Sequence, residues 1–180
     1  MATSVLALVG SLRQESKNKE LAELARDLAP EGVSVSLFEG LDELPFHNED
    51  IDGDQVAEAV TRLRTAVADA DAVLVVTPEY NGTIPAVLKN AIDWASRPFG
   101  NGSLTDKPVA VIGASLGRFG GKWSHDDTRK AVGIAGARVV EDVEVGLQSS
   151  TYDRAAEDEQ VVDKVRGALT RLVDFSGVPA

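Results

Sequence analysis

The sequence predicts a doubly wound α/β fold, in which a five-stranded parallel sheet of order 2-1-3-4-5 carries helices on both faces. Short apolar runs, typical of strands buried on both faces, alternate with longer segments of helical periodicity. A helical segment separates each strand from the next, which is the connection that parallel neighbours require. The chain shows no internal repeat, low-complexity segment or linker, so residues 1–180 are expected to form one domain.

The first half of the chain contains three predicted strands and two predicted helices. Gly10 ends the first strand, and the first helix ends before Pro30, which cannot continue it. In the second strand Val33, Val35 and Leu37 alternate with serines. The predicted strands are residues 4–9, 33–37 and 72–76, and the predicted helices are residues 17–28 and 56–68.

The second half contains two further strands and three helices. A helix follows the third strand, and a glycine-rich loop follows the fourth. The predicted strands are residues 109–112 and 139–145, and the predicted helices are residues 84–95, about 124–135 and 155–175. The last five residues, Ser-Gly-Val-Pro-Ala, are expected to form a frayed tail.

Composition excludes several classes of function. The formal net charge of -11 argues against nucleic acid or an anionic membrane as a partner. The chain has no cysteine and only two histidines, His47 and His125, so neither a disulfide nor a transition-metal site is expected. No apolar run is long enough to span a bilayer, and the apolar start is too short for a signal peptide, which predicts a cytoplasmic protein.

Acids cluster in residues 39–58, called here the acidic segment, which contains no Lys or Arg and is expected to be a solvated loop.

In doubly wound sheets, ligands lie at the carboxyl ends of the strands, near the point where the winding reverses. The loop after the first strand places Ser11, Arg13 and Ser16 before the N-terminus of a helix. Backbone N–H groups, the helix dipole and a guanidinium together favour a bound phosphate. The same residues also fit a plain helix start, with Ser16 as the N-cap and Arg13 on the surface. The loop matches neither GxGxxG nor a P-loop, which disfavours those two nucleotide-binding classes.

The loop after the third strand runs from Thr77 to Pro85 and contains an Asn-Gly turn between two prolines. Such a loop is stiff and presents backbone amides and carbonyls in a fixed arrangement that suits the polar edge of a flat heterocycle. The alternative is a purely structural turn with Pro85 in the first turn of the helix. Glu79 and Asp93 are a weaker candidate for an acid–base pair, because Asp93 lies deep in the following helix.

The loop after the fourth strand contains Gly117, Gly120 and Gly121, which permit positive φ or close approach to a ligand. A single glycine-rich loop is a weak signal. Three specialised loops at one edge of a sheet indicate a ligand site more strongly.

The chain resembles the NADPH-dependent FMN reductase family, whose members share a flavodoxin-like fold and include quinone, chromate and azo-dye reductases. The resemblance covers residues 5–136. It is carried by Gly-Ser-Leu-Arg-x-x-Ser-x-Asn, by Pro-Glu-Tyr-Asn-Gly followed by Leu-Lys-Asn-Ala-Ile-Asp-Trp, and by Ser-x-Gly-x-x-Gly-Gly. The departures are Thr83 where Ser is common, Ala86 where Gly is common, and Glu15 in the first loop.

The resemblance implies a bound FMN with NADPH or NADH as hydride donor, and a flavin, quinone or similar small molecule as acceptor, reduced by ping-pong turnover. It implies that the FMN phosphate is held by Ser11, Arg13, Ser16 and Asn18. It implies that the isoalloxazine is lined by Pro78, Glu79, Tyr80, Asn81 and Gly82, and that Ser115, Gly117 and Arg118 close the other side. No side chain is assigned as acid or base, since the cofactor supplies the chemistry. Arg118 or Arg97 is the candidate contact for the nucleotide phosphates.

Two other functions are found on the same fold. A flavodoxin-type electron carrier would use the acidic surface to dock a redox partner. A phospho-receiver needs an Asp at the end of the third strand, where this chain has Val76-Thr77-Pro78. The family forms homodimers or homotetramers, and Trp94 with Arg97 and Phe99 is predicted either to supply an interface near the flavin or to fill the core.

Overall fold

The computed structural model describes residues 3–53 and 55–177. Asp54 of the acidic segment and residues 178–180 of the expected tail lie outside the described residues. The strands are β1 (Thr3–Val9), β2 (Val33–Leu37), β3 (Ala72–Val76), β4 (Pro108–Ser115), β5 (Arg138–Val139) and β6 (Val145–Gln148). The helices are α1 (Lys17–Asp27), α2 (Glu58–Asp69), α3 (Ala86–Ala95), α4 (Lys122–Ile134) and α5 (Glu159–Ser176).

The sheet is parallel, with the order β2-β1-β3-β4-β5, and β6 also pairs with β4. The predicted order is therefore confirmed, but the continuous fifth strand is not. β5 pairs with Pro108 and Val109 of β4, and β6 pairs with residues 112–115. The exposed pair Glu141 and Asp142 forms a turn between them, so the fifth position of the sheet is filled by two short segments.

Each face of the sheet has its own apolar core. Leu74 and Val76 of β3 pack with residues of α1 and α5, whereas Val73 and Val75 pack with residues of α2, α3 and α4. Successive side chains of a strand point to opposite faces, so a strand covered on both faces must be apolar throughout. All five residues of β3 are buried, as its continuous apolar run predicted.

The predicted start of the last helix was too early. Residues Ala155–Glu157 form a short 3-10 turn, and α5 begins at Glu159. The carboxylate of Asp158 accepts hydrogen bonds from the N–H groups of Gln160 and Val161 at 3.0 and 3.1 Å, and this cap sets the helix start. None of the helices in residues 3–53 and 55–177 combines the length and the apolar character needed to cross a membrane.

Trp94 fills the core, which was one of its two predicted roles, and its burial rules out a contribution to an interface. Its side chain is fully buried under the acidic segment, and its Nε1 donates to the carbonyl oxygen of Pro45 at 2.7 Å. The acidic segment is thus attached to the domain rather than only solvated. The carboxylate of Asp52 forms two hydrogen bonds with Arg64, at 2.8 and 2.9 Å, which lower the pKa of Asp52.

Candidate active site

The starts of the three loops meet at the carboxyl end of the sheet, as the sequence predicted. The N–H of Gly10 donates to Val76 O at 2.9 Å, and the N–H of Thr77 donates to Ile112 O at 2.9 Å. A Cβ on Gly10 would come within 2.6 Å of Thr77 Oγ1. The first two loops therefore approach so closely that only glycine fits at their contact.

Ser16 is the N-cap of α1. Its backbone is extended, with φ -87° and ψ 123°, and its Oγ accepts a hydrogen bond from the N–H of Lys19 at 3.3 Å. A hydroxyl that accepts one bond keeps its own O–H to donate. The helix-start interpretation of Ser16 is therefore confirmed, and it leaves the hydroxyl proton available to an anion.

Asn18 is buried, and its side chain is engaged within the protein. Its Nδ2 donates to Ala114 O at 2.9 Å, and its Oδ1 accepts from Ala114 N at 2.8 Å. This pair of bonds fastens the first turn of α1 to the end of β4. What Asn18 can offer an anion is therefore its backbone N–H, one of those that a helix N-terminus leaves without an intrahelical partner.

A hollow of about 550 Å³ lies beside the first loop. Arg13 and Lys19 line it and form no ion pair within residues 3–53 and 55–177. Lys17 is paired with Glu20 at 3.1 Å, and its Nζ lies 5.1 Å from the centre of the Tyr152 ring. Glu15 is exposed and lines the hollow together with Glu20, Glu23, Leu116 and Ser149. The two unpaired cations favour an anion in this hollow.

The second loop is a tight hairpin. Tyr80 and Thr83 exchange two backbone hydrogen bonds, each 3.2 Å long. Asn81 and Gly82 have φ of 53° and 75°, the left-handed pair that a type I′ turn requires and that Asn-Gly adopts readily. The N–H groups of Asn81 and Gly82 make no backbone hydrogen bond in the described part of the chain, so the turn presents two donors in a fixed place.

The hairpin loop is held by the first two turns of α4 at separate points. Glu79 Oε2 accepts from the N–H groups of Trp123 and Ser124, at 3.0 and 3.3 Å, and so caps the helix from outside. Thr83 Oγ1 donates to Asp127 Oδ2 at 2.6 Å. Asp93 is bound instead to Lys89, at 2.6 and 2.8 Å. Glu79 and Asp93 therefore have separate structural partners, which argues against the acid–base pair.

His125 of α4 also contacts the start of the second loop, at Thr77. Sequence reasoning did not single out His125 for this site. Its side chain is 2 % exposed, and Nε2 lies 3.2 Å from Thr77 O. A carbonyl oxygen only accepts, so Nε2 carries the proton. Burial lowers the pKa of His125 from 6.5 to about 4, which keeps the ring neutral at physiological pH. The nearby glycines are the only sequence signal: a Cβ on Gly113 would lie 2.0 Å from Thr77 O and 2.8 Å from His125 Nε2.

The third loop has an open side and a closed side. Gly120 and Gly121 have φ of 61° and 93°, as the glycine content predicted, and a Cβ on Gly120 would lie 2.4 Å from the carbonyl carbon of Gly146. Gly117, in contrast, faces open space. Ser115 is half-buried, and its carbonyl accepts from the N–H of Ser149 at 2.9 Å. Arg118 is exposed, with its guanidinium 4.5 Å from the centre of the Phe119 ring.

Arg97 does not belong to the same end of the molecule. It follows the C-terminal end of α3, about 15 Å along the helix axis from the hairpin loop at the start of that helix. Its guanidinium bonds to Ser96 Oγ at 3.0 Å and lies 4.0 Å from a carboxylate oxygen of Glu49. Of the two candidate contacts for the nucleotide phosphates, only Arg118 lies at the carboxyl edge of the sheet, in the loop that follows β4.

The parallel sheet of order β2-β1-β3-β4-β5, covered by helices on both faces, places the protein in the flavodoxin-like class of α/β proteins. Residues 3–151 match the family model described as NADPH-dependent FMN reductase. The chain therefore belongs to the NADPH-dependent FMN reductase family.

Curated relatives and solved structures agree with this assignment. The chain is 36% identical over 173 residues to a quinone reductase of Pseudomonas putida, which covers 95% of this chain and 91% of that one. It is 38% identical over 162 residues to an NAD(P)H-dependent FMN reductase of Pseudomonas aeruginosa, with 90% and 86% of the two chains covered. The solved structure of FerB, a flavoenzyme NAD(P)H:(acceptor) oxidoreductase from Paracoccus denitrificans, superimposes with a TM-score of 0.88 at 33% identity and covers 98% of both chains.

Proposed function

We propose that the protein is an oxidoreductase that binds FMN, takes hydride from NADPH or NADH, and reduces a quinone, a flavin or a similar small acceptor. The observation that carries the proposal is the placement of a hollow lined by two unpaired cations and of a rigid hairpin at the same edge of one sheet. FMN has a phosphate at one end and a flat heterocycle at the other, and these two features suit its two ends. The names of the relatives support the nucleotide and the acceptor class.

The first loop and α1 suit the FMN phosphate. Arg13 supplies a charge, Ser11 and Ser16 supply hydroxyls, and the first turn of α1 supplies backbone N–H groups, including that of Asn18. Lys19 adds a second unpaired cation, which the sequence reasoning did not assign to the site. The side chain of Asn18 contributes indirectly, because it fixes the helix start against Ala114.

The second and third loops suit the isoalloxazine. The fixed N–H groups of Asn81 and Gly82 would donate to the polar edge of the ring, with Pro78, Glu79 and Tyr80 continuing the same rim. Ser115, Gly117 and Arg118 would close the other side of the ring, where Gly117 leaves room.

FMN bound here would supply the redox chemistry, by which NAD(P)H, a quinone and one proton become NAD(P)+ and a hydroquinone. The protein binds and orients the reactants. Glu79 is occupied as a helix cap, and His125 is buried as a neutral donor to Thr77, so we assign neither as an acid or base. Because the hydride donor is an intracellular nucleotide, a cytoplasmic location fits this function.

The alternative is an electron carrier of flavodoxin type, favoured by the acidic surface. Part of that surface is already neutralised, since Asp52 is paired with Arg64 and Glu43 with Arg62. Mixing FMN-loaded protein with NADPH or NADH without oxygen separates the two functions. Loss of flavin absorbance at 1:1 stoichiometry within the turnover time supports the reductase. Unchanged absorbance with both nucleotides would leave only the carrier.

We also propose that the protein assembles as a homodimer or homotetramer through the surface between α3 and α4. A groove of about 520 Å³ lies there, lined by Ile92, Ala131 and Ile134 and flanked by Phe99. Ile134 is 73% exposed and Phe99 is 84% exposed, and large exposed apolar side chains around one groove indicate an interface. Light scattering at micromolar concentration tests this: Ile134→Glu is expected to shift the mass toward the monomer, and a strictly monomeric wild type would refute it.

A further inference from the structure

We infer that Arg118, Phe119 and Trp123 bind the electron acceptor, and that these three residues select planar aromatic acceptors that carry a negative charge. This inference rests on the proposed function. It concerns which acceptor is preferred and which side chains hold it.

The three side chains form a continuous stack, called here the acceptor wall. The Phe119 and Trp123 ring centres are 6.0 Å apart with the planes tilted by 50°. The guanidinium of Arg118 lies 4.5 Å from the centre of the Phe119 ring. This spacing is typical of aromatic and cation–π contacts, so the wall presents two flat apolar faces and one cation in sequence.

The acceptor wall borders the hairpin that we assign to the flavin ring. Trp123 lies in the first turn of α4, where its N–H donates to Glu79 Oε2 at 3.0 Å. A Cβ on Gly82 would be 3.6 Å from Cε3 of Trp123, so the indole is close to ordinary contact distance from the turn. A ring stacked on Trp123 would therefore lie next to the part of the hairpin that faces the flavin.

The wall is exposed although neither ring is needed for the core. Phe119 is 53% and Trp123 is 57% exposed, and both are absent from the two core clusters of the described residues. Leu116, on the same loop, is 77% exposed. Large apolar side chains gathered at a functional edge indicate a binding surface, and flat rings favour a flat ligand.

The charge of the wall is positive despite the net charge of -11. Arg118 makes no ion pair within residues 3–53 and 55–177. Lys122 is paired with Asp126 at 3.0 Å, and the carboxylate of Glu79 is held at the start of α4. Arg118 is thus the cation left to meet a ligand, and a planar acceptor with a sulfonate or another ionised substituent complements it.

The test compares 1,4-naphthoquinone with 1,4-naphthoquinone-2-sulfonate, which share a ring system and differ in charge. The FMN-loaded wild type, Arg118→Gln, Phe119→Leu and Trp123→Leu are assayed for kcat/KM with each quinone, and calorimetry measures binding of the sulfonate to the oxidised protein. Comparing each variant with the wild type cancels the difference in reduction potential between the quinones. Arg166→Gln is the matched control, because Arg166 is a half-exposed cation on α5 that pairs with Asp163.

Arg118→Gln is expected to lower kcat/KM for the sulfonate by about threefold to fivefold more than for the neutral quinone, and to lower affinity for the sulfonate by a similar factor. Any loss common to both quinones reports the contact of Arg118 with the flavin site. The loss should shrink in about 0.5 M salt, since exposed charges are screened.

Phe119→Leu and Trp123→Leu should raise KM for both quinones by about fivefold and leave FMN affinity unchanged. Equal effects of Arg118→Gln on both quinones, or ring variants that weaken FMN binding and leave KM unchanged, would overturn the inference. If the wild type reduced neither quinone but bound the sulfonate through Arg118, the proposed function would be refuted. The assignment of the acceptor wall as a binding surface for planar anions would stand.

Discussion

His125 Nε2 lies 3.2 Å from the carbonyl oxygen of Thr77, the residue that precedes the hairpin loop. The bond joins a buried side chain of α4 to the end of β3, across 48 residues of chain. Glu79 and Thr83 are also hydrogen-bonded to α4. The helix α4 therefore holds the loop at its start, near its middle and after its turn. The placement of the proposed flavin rim is therefore a property of α4 as much as of the loop.

Replacing His125 by Leu should weaken FMN binding several-fold and lower the free energy of unfolding by about 1–3 kcal/mol, because Thr77 O would lose its buried donor. His125→Gln carries an N–H at a similar reach and should recover most of both quantities. Urea unfolding and FMN fluorescence titration measure the two effects. If Gln behaves like Leu, the hydrogen bond is not what His125 contributes.

The pH dependence of stability should contain a contribution from His125. Its folded pKa of about 4 is below the ordinary 6.5, so protons bind the unfolded chain first. The stabilisation is fully present above pH 6.5 and is lost as the pH falls toward 4, with a size of about 3 kcal/mol at most. Urea midpoints of the wild type and His125→Gln should be similar at pH 7.5 and should separate as the pH falls to 4, because only the wild type loses stability in this window. Parallel curves would show that the two states bind protons at His125 equally.

Arg13→Ala should weaken FMN binding about tenfold, because a charge-assisted contact to the phosphate contributes roughly 1.5–3 kcal/mol. Riboflavin lacks the phosphate, so its weaker binding should be unaffected by the substitution. Arg26→Ala, at the other end of α1, removes the same charge away from the hollow and serves as the control. Equal affinity of the wild type for FMN and riboflavin would disprove the phosphate site.

Asn18→Ala should lower the free energy of unfolding by about 2–4 kcal/mol, since it leaves both buried polar groups of Ala114 without their partners. Asn18→Asp keeps an acceptor for Ala114 N but sets a carboxylate against Ala114 O, so it should not restore stability. Asn101→Ala, at an exposed position, is the matched control. Chemical denaturation in the absence of FMN isolates this structural role from any contact with phosphate, and a stability equal to the wild type would contradict it.

Steady-state kinetics should show ping-pong turnover. One rim, built from the second and third loops, has to serve donor and acceptor in turn, so the oxidised nucleotide must leave before the quinone enters. Double-reciprocal plots against NAD(P)H at several quinone concentrations should be parallel, and anaerobic NAD(P)H alone should bleach the bound FMN, with colour restored by quinone. Intersecting lines would indicate a ternary complex and a second site for one of the two reactants.

The sequence by itself determined the strand order, the positions of the three loops and the chemistry of the turn. The loop positions and the turn depend on neighbours in the chain: the apolar run of β3, the cap at Ser16, and the Asn-Gly pair whose left-handed φ values close the hairpin. The strand order was predicted from the alternation of strands and helices along the whole chain. The family motifs lie in the same local segments. Short-range patterns can be read from a sequence because local sterics and hydrogen bonding produce them.

Only the tertiary structure decided which polar groups bond across the fold. Asn18 bonds to Ala114, 96 residues further along the chain, and Trp94 donates to Pro45, which lies 49 residues before it. The sequence had left open whether Trp94 fills the core or supplies an interface. The fifth strand is divided by a turn at Glu141 and Asp142, although its apolar residues looked continuous. Buried polar groups must find partners wherever packing places them, and that choice depends on distances between elements that no local pattern records.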